Sequence, residues 1–164
     1  MKTLYLVRHA KSSWKDPSLS DIERPLNGRG RQNVADMGAR LAQKGIMPDT
    51  MITSPAKRAH DTCVGIAEAL GFPKEKILIE RKLYHADEDD FLEIINLFPE
   101  DVEIAMLFSH NPGLTWTANR LTGASIDNVP TCGIVLSRFE VGPWEEVGFG
   151  KGELVFYDWP KRKQ

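Results

Sequence analysis

Cysteine is nearly absent from this sequence. Cys63 and Cys132 are the only two in 164 residues, too few and too far apart for a disulfide framework or a zinc knuckle, so both are expected as free thiols. There is no excess of either sign of charge. Lys and Arg number 21 against 23 Asp and Glu, a formal net charge of -2, which excludes a global attraction to nucleic acid or to an anionic membrane; any positive field must be local. No apolar run reaches the length of a membrane span, and the N-terminus passes straight into a strand pattern instead of a signal peptide. A cytoplasmic protein with neither nucleic-acid nor membrane partner is the expectation. No internal repeat is evident. A chain of 164 residues, 41% of them hydrophobic, suffices for one domain with a sizeable core, residues 1–164, and falls short of two.

What is present is organised around the first dozen residues. Leu4-Tyr5-Leu6-Val7 is an unbroken apolar run of the kind made by a parallel strand covered on both faces. It ends in Arg8 and His9. Such a strand carries a guanidinium and an imidazole to its C-terminal edge, where open α/β sheets bind ligands. An isolated Arg-His pair is equally an ordinary loop start, so the reading depends on what later strand ends supply.

They supply more of the same. The polar stretch from Ala10 to Arg24 is long for a connection and is expected to rim the site, with Lys11 and Ser13 as candidate substrate contacts. Asn27 reads as the cap of a helix carrying Val34, Met37 and Leu41 and stopping at Gly45. A strand at Asp49–Thr53 runs into Ser54-Pro55, read as N-cap and first helical residue, with Ala59, Cys63, Ile66 and Leu70 as the buried stripe. Arg58 then lies one turn into a helix at the same sheet edge as Arg8. After a short strand at Ile77–Glu80, Tyr84 and His85 fall in a loop expected to face the pocket, and Asp87 caps a helix with Phe91, Leu92, Ile95 and Phe98. The strand Glu103–Phe108 ends in Ser109-His110-Asn111-Pro112, where the cap-plus-proline pattern recurs and delivers His110. Gly133–Glu140 and Gly152–Tyr157 read as antiparallel strands at the sheet margin, and residues 160–164 as a solvated end. The expected fold is a three-layer α/β/α sandwich, a mostly parallel central sheet with an antiparallel edge strand.

Arg8, His9, Arg58 and His110 make a poor metal site, since guanidinium groups repel a cation and no ligand spacing of the zinc type accompanies them; no metal or other cofactor is expected. They suit a tetrahedral dianion. Arginine forks match phosphate oxygens, and helix N-termini add backbone donors. His9 can act as nucleophile if its ring is neutral, which the nearby Arg8 and Arg58 favour, with a backbone carbonyl holding the other ring nitrogen. His110 is assigned as donor to the transferring oxygens. Cys132 and Arg138 fit the Cys-x5-Arg spacing of thiolate phosphatases, but Ile134-Val135-Leu136 between them form an apolar strand run, and a phosphate cradle needs a tight loop of small residues. His60 is read as a helix-surface residue or one that supports the site from behind, not as catalytic.

Leu6-Val7-Arg8-His9-Ala10, Ser54-Pro55-Ala56-Lys57-Arg58-Ala59 and Ser109-His110-Asn111-Pro112 resemble the three signature stretches of the histidine phosphatase superfamily. Ala10 stands where the family usually has glycine. The compact length, the run from Arg8 to Trp14 and the pattern of Asp21, Arg24-Pro25-Leu26-Asn27 and Gly30 resemble its small SixA-type branch of protein-histidine phosphatases. The resemblance implies a phosphoglycerate mutase-like fold and a phosphorylated His9, with Arg8, Arg58 and His110 completing the phosphate pocket. Larger members carry an acidic proton donor and a helical insertion over the site, neither of which is evident; Glu80, Asp87 and Glu88 are the candidates for such an acid. Without one, a substrate whose leaving group needs little protonation is favoured. The expected activity is therefore hydrolysis of a phosphomonoester or phosphoramidate, with protein phosphohistidine preferred and a phosphorylated protein, such as a His-phosphotransfer protein, or a small phosphorylated molecule as partner. A phosphatase or mutase acting on a small metabolite, and a non-catalytic phosphate or phosphoprotein binding module, are the alternatives.

Overall fold

Leu4, Leu6 and Val7 are fully buried because their strand lies inside a sheet covered on both sides. The computed structural model describes residues 1–164. In chain order the elements are β1 (Lys2–Arg8), α1 (Gly28–Gln43), β2 (Thr50–Thr53), α2 (Lys57–Leu70), β3 (Leu78–Ile79), α3 (Glu88–Asn96), β4 (Ile104–Ser109), α4 (Gly113–Thr122), β5 (Ile134–Phe139) and β6 (Gly152–Asp158). They build one sheet of order β3-β2-β4-β1-β5-β6. β1 pairs with β4 in parallel register, Thr3 opposite Ile104 through Arg8 opposite Ser109, and β2 pairs in parallel with both β4 and β3. β5 runs antiparallel to β1, and β6 antiparallel to β5. The antiparallel margin is thus a pair of strands, of which β6 is the edge, and β3 is the edge on the parallel side.

Alternation along β1 sorts its side chains between two cores. Tyr5 and Val7 join Met51, Met106, Phe108 and Ile134 under α1 and α2, which contribute Val34, Met37, Leu41 and Ile66. Leu4 and Leu6 join Ile52, Ala105, Leu107 and Val135 under α3 and α4, which contribute Phe91, Ile95, Leu114 and Leu121. The three-layer sandwich follows, because a strand apolar on both sides demands a helical layer on each. No helix is long and apolar enough to cross a membrane.

The helix starts decide what reaches the sheet edge. Asn27 caps α1, its side chain accepting from the Gly30 amide at 2.7 Å, and Asp87 and Asp90 form a reciprocal capping box on α3. α2 differs from expectation. It begins at Lys57 with Ala56 at the cap, so Ser54-Pro55 is a turn before the helix; the Ser54 hydroxyl accepts from the Ala56 amide at 3.2 Å and stays outside the first turn. α4 likewise begins at Gly113, after a cis Asn111–Pro112 bond, with the Asn111 side-chain oxygen accepting from the Thr115 amide at 3.2 Å.

The stretch from Ala10 to Arg24 is tied down. Ser12 bridges to Leu26, the Ser13 amide donates to Pro25 O at 2.8 Å, and the Asn27 amide donates to Lys11 O at 2.9 Å. Gly30 permits this closeness, since a Cβ there would lie 2.2 Å from Lys11 O. The first turn of α1 therefore rests directly on the segment that leaves His9.

Candidate active site

Parallel strands β1, β2 and β4 end side by side, so Arg8 and His9, Ser54, and His110 emerge at one edge, and α2 brings Arg58 to it. The buried His9 ring places Nδ1 2.7 Å from the carbonyl of Ala10. A carbonyl can only accept, so Nδ1 carries the proton and the Nε2 lone pair is left for chemistry. The ring's pKa is lowered to about 4, by burial first and then by the Arg58, Arg8 and Arg24 guanidinium groups. The sequence reading of a neutral His9 ring stands, but desolvation leads and the arginines assist. The Ala10 amide donates to Thr62 Oγ1 at 3.0 Å, and that hydroxyl donates to Arg58 O at 2.7 Å, locking the end of β1 to α2.

His110 sits with its ring centre 5.1 Å from that of His9, and its Nε2 lies 2.8 Å from Ser54 Oγ. The Ser54 oxygen also accepts from the Ala56 amide; in the tautomer in which the Ser54 hydroxyl donates to Nε2, His110 carries its proton on Nδ1. Burial, then the neighbouring His9 and Arg58, lower the His110 pKa to about 3, so this ring is also neutral at pH 7. Arg8 donates Nη1 to Val129 O at 2.9 Å, and Arg58 donates Nη1 to Asp21 O at 2.7 Å and Nη2 to Asp21 Oδ2 at 3.0 Å. Three buried nitrogens on these side chains, Arg8 Nε, Arg58 Nε and His110 Nδ1, have no hydrogen-bond partner within the protein. An unpaired buried donor costs about 1–3 kcal/mol, and a multivalent oxyanion is the ligand that relieves several at once.

These groups line a hollow of about 500 Å³, together with Lys11, Ser12, Trp14, Asp21, Arg24 and His85. Arg24 is a third guanidinium, buried, stacked 3.5 Å from the centre of the Trp14 ring and donating to Ser12 Oγ at 2.8 Å. Asp21 joins the two flanking arginines: Oδ1 accepts from Arg24 and Oδ2 from Arg58 and from the Tyr84 hydroxyl. The Tyr84 hydrogen bond, followed by Arg58 and Arg24, pulls the Asp21 carboxyl down to about 2.

Arg8, His9, Arg58 and His110 are thus brought together as the sequence predicts, and Lys11 and His85 line the same hollow. Tyr84 acts at one remove, through Asp21, with its ring edge-on to His110 at 5.5 Å. Ser13 is a correction. Its hydroxyl accepts from the Lys15 amide at 3.1 Å, away from the hollow, while Ser12 faces in, because side chains alternate along the extended stretch paired with Leu26. None of Glu80, Asp87 and Glu88 lines the hollow; Asp87 is spent on capping α3 and Glu88 pairs with Arg120. Asp21 is the carboxylate that does. His60 lies half-exposed beside Asp61. Cys132 is a buried free thiol pushed up to about 12 by burial, followed by strand β5, so no thiolate cradle exists there. The sequence-predicted site residues did not include Arg24, Asp21, Ser12 or Ser54, which join this cluster. The three-residue spacing of Asp21 and Arg24 was the available signal for the first two.

The model of the histidine phosphatase superfamily (branch 1) matches residues 4–129. A chloroplastic protein of Arabidopsis thaliana, itself uncharacterised, is 31% identical over 153 residues, which cover 88% of this chain and 70% of that one. The 2,3-bisphosphoglycerate-dependent phosphoglycerate mutase of Chelativorans sp. is 31% identical over 97 residues, 54% of this chain and 44% of the mutase. Among solved structures, the protein histidine phosphatase SixA complexed with tungstate superposes with a TM-score of 0.82 at 20% identity, over 96% of this chain and 97% of that one. A chain of Agrobacterium tumefaciens assigned as phosphohistidine phosphatase SixA gives a TM-score of 0.81 at 23% identity, over 95% of this chain and 96% of that one. At such identities the likeness establishes a common phosphoglycerate mutase-like fold. With the family match spanning most of the sequence and all three signature stretches meeting at one sheet edge, the chain belongs to the histidine phosphatase superfamily.

Proposed function

We propose that this protein hydrolyses phosphohistidine on a partner protein through a covalent phosphohistidine at His9, without a metal. The neutral Nε2 of His9 attacks phosphorus, the bond from phosphorus to the substrate ring, protonated on its other nitrogen, breaks, and that ring leaves as neutral imidazole with the electron pair of the broken bond. Arg8, Arg58 and the Nδ1–H of His110 bear the charge on the equatorial oxygens, which is most of what phosphoryl transfer asks of a protein. Water then attacks the phosphoryl group on His9 and releases phosphate.

The observation that carries the substrate class is Asp21. The carboxylate facing the hollow is held ionised at about 2 by Tyr84, Arg58 and Arg24, so it is no acid at neutral pH. An alkoxide leaving group needs a proton, whereas an imidazole, whose conjugate acid has a pKa of roughly 6.5, needs little help. Hydrolysis of the phosphoenzyme expels the same kind of leaving group. The identity to phosphoglycerate mutases favours a second reading, a mutase or phosphatase of a small metabolite, but this chain matches less than half of the Chelativorans mutase, and an ester would demand the missing acid.

The test is turnover of a phosphohistidine-bearing protein beside a panel of small phosphate esters, with a chelator present, by wild type and His9→Ala. Preferential cleavage of the phosphohistidine, acid-labile labelling of the wild type and loss of both in the variant are expected. Metal-dependent turnover, turnover surviving the substitution, or preference for an ester would overturn the reading. A binding module would take up no covalent phosphate.

A further inference from the structure

Lys11 and Thr131 line the catalytic hollow and also a second, adjoining trough of about 270 Å³, whose other walls are Arg29, Asn33, Pro130, Trp159, Pro160 and Lys161. Its three cations come from separate segments: the stretch after β1, the first turn of α1, and the tail after β6. The tail is not a loose end at this point. Arg40 donates to Asp158 Oδ1, Trp159 O and Pro160 O at 3.1, 2.9 and 2.8 Å, which pins the chain just before Lys161. Asp158, the nearest acidic residue in sequence, is consumed by that arginine.

Neither Lys11, Arg29 nor Lys161 has an ion-pair partner among the salt bridges of the fold, where nine bridges employ other residues. They act on one another instead. The Arg29 guanidinium, ahead of slight desolvation and of Lys161, holds the Lys11 ammonium below the usual lysine range. In a chain of net charge -2, three unpaired cations gathered beside the catalytic hollow form a local positive field.

We propose that this trough receives a run of carboxylates flanking the phosphohistidine of the substrate protein. The inference rests on the phosphohistidine reading of the adjoining hollow and adds the substrate's sequence preference to it. Two features choose an acidic peptide over a second phosphate. Each arginine of the catalytic hollow is fixed by hydrogen bonds, Arg8 to Val129 O, Arg24 to Ser12, Arg58 to Asp21, as a fixed tetrahedral anion requires. The trough cations make no side-chain hydrogen bond within the fold and can follow a flexible chain, while Pro130, Trp159 and Pro160 give its methylene groups an apolar wall.

The test uses Arg29→Glu/Lys161→Glu, positions outside the catalytic hollow, and two synthetic phosphohistidine peptides that differ only in flanking Glu or Gln. Wild type is expected to show a KM roughly 10-fold lower for the Glu peptide, the scale of two or three exposed charge pairs, with the advantage fading as salt rises. In the double variant the advantage disappears, while turnover of phosphoimidazole is unchanged. Equal KM values for both peptides in wild type, or an advantage that survives charge reversal, would overturn the proposal. Fluorescence anisotropy with the unphosphorylated Glu peptide reads the trough independently of catalysis: binding that the double variant loses supports it, and no binding, or equal binding by both proteins, defeats it. If wild type cleaves neither peptide nor phosphoimidazole, the phosphohistidine reading fails, and anisotropy still decides whether the trough binds carboxylates.

Discussion

Replacing His9 by Asn should make the fold less sensitive to acid even as it abolishes activity. In the unfolded chain the imidazole takes a proton near its ordinary value of 6.5, whereas in the folded protein it resists until about 4. Between those values the unfolded state binds more protons, so stability falls as pH drops from 6.5 towards 4 and the loss is complete below about 4. At 1.36 kcal/mol per pH unit the difference is worth roughly 3 kcal/mol in full, and integration gives about 2 kcal/mol already lost at pH 5. His110 has a pKa of about 3, set by burial first and by His9 only second, so it stays neutral in both folded proteins at pH 5 and its contribution nearly cancels over this interval. Urea unfolding of wild type and His9→Asn at pH 7 and pH 5 should therefore show wild type losing about 2 kcal/mol more over that interval. In activity the same displacement keeps the nucleophile free at pH 5, so kcat/KM, corrected for titration of the substrate, does not fall through pH 6.5. Equal pH sensitivity of the two proteins, or an NMR titration of the His9 ring between 6 and 7, would refute the account of a desolvated neutral nucleophile.

Ser54→Ala removes the hydroxyl that holds His110 Nε2; kcat should fall about 10-fold with KM nearly unchanged, a partial loss of one transition-state donor. Asp21→Asn frees Arg58 and Arg24 from their common carboxylate, so kcat should drop several-fold while inorganic phosphate, which responds mainly to charge, binds no more weakly by calorimetry. Because the Asp21 side chain is 45% exposed, its contribution to stability stays below about 1 kcal/mol, present at neutral pH and lost only as pH falls through about 2. Tyr84→Phe removes the strongest influence lowering the Asp21 pKa but leaves both arginines, so the carboxylate remains ionised and turnover of small esters should not rise; a gain in ester turnover would show that Asp21 can serve as an acid. Gly113→Ala would put a Cβ 1.9 Å from Ala86 O, and the forced shift should cost about 1–3 kcal/mol, read as a lower Tm.

Much of this architecture is legible in one dimension because strong local signals coincide with tertiary demands. The run Leu4–Val7 needs both faces covered, and its polar end can only be an edge, so Arg8 and His9 are placed without coordinates. Asn27 and Asp87 cap as expected because their side chains satisfy amides three residues on. Ser54 is the instructive failure. Serine followed by proline has the composition of a helix start, yet the first helical residue lies at Lys57, and what captures the hydroxyl is His110, 56 positions away. Propensity cannot see that partner. The exchange of Ser12 for Ser13 has a similar origin: which of two adjacent serines faces inward depends on the pairing of Ser12 with Leu26. The leading cause of the His9 shift was also hidden, since arginines are visible in a sequence and burial is not.

The absent general acid is better understood as a carboxylate present but committed. Asp21 reaches the hollow, and in a pocket with fewer cations a carboxyl so placed could donate a proton. Here it lies between Arg24 and Arg58 and accepts from Tyr84 as well. Each partner stabilises the ionised form, so removing any single one leaves enough positive charge to keep it ionised. The same bonds hold Arg58 against the loop and orient it towards His9. Alignment of the guanidinium groups and the lack of a free acid are therefore one structural fact, and a variant given ester chemistry at this site would have to supply its proton from another residue.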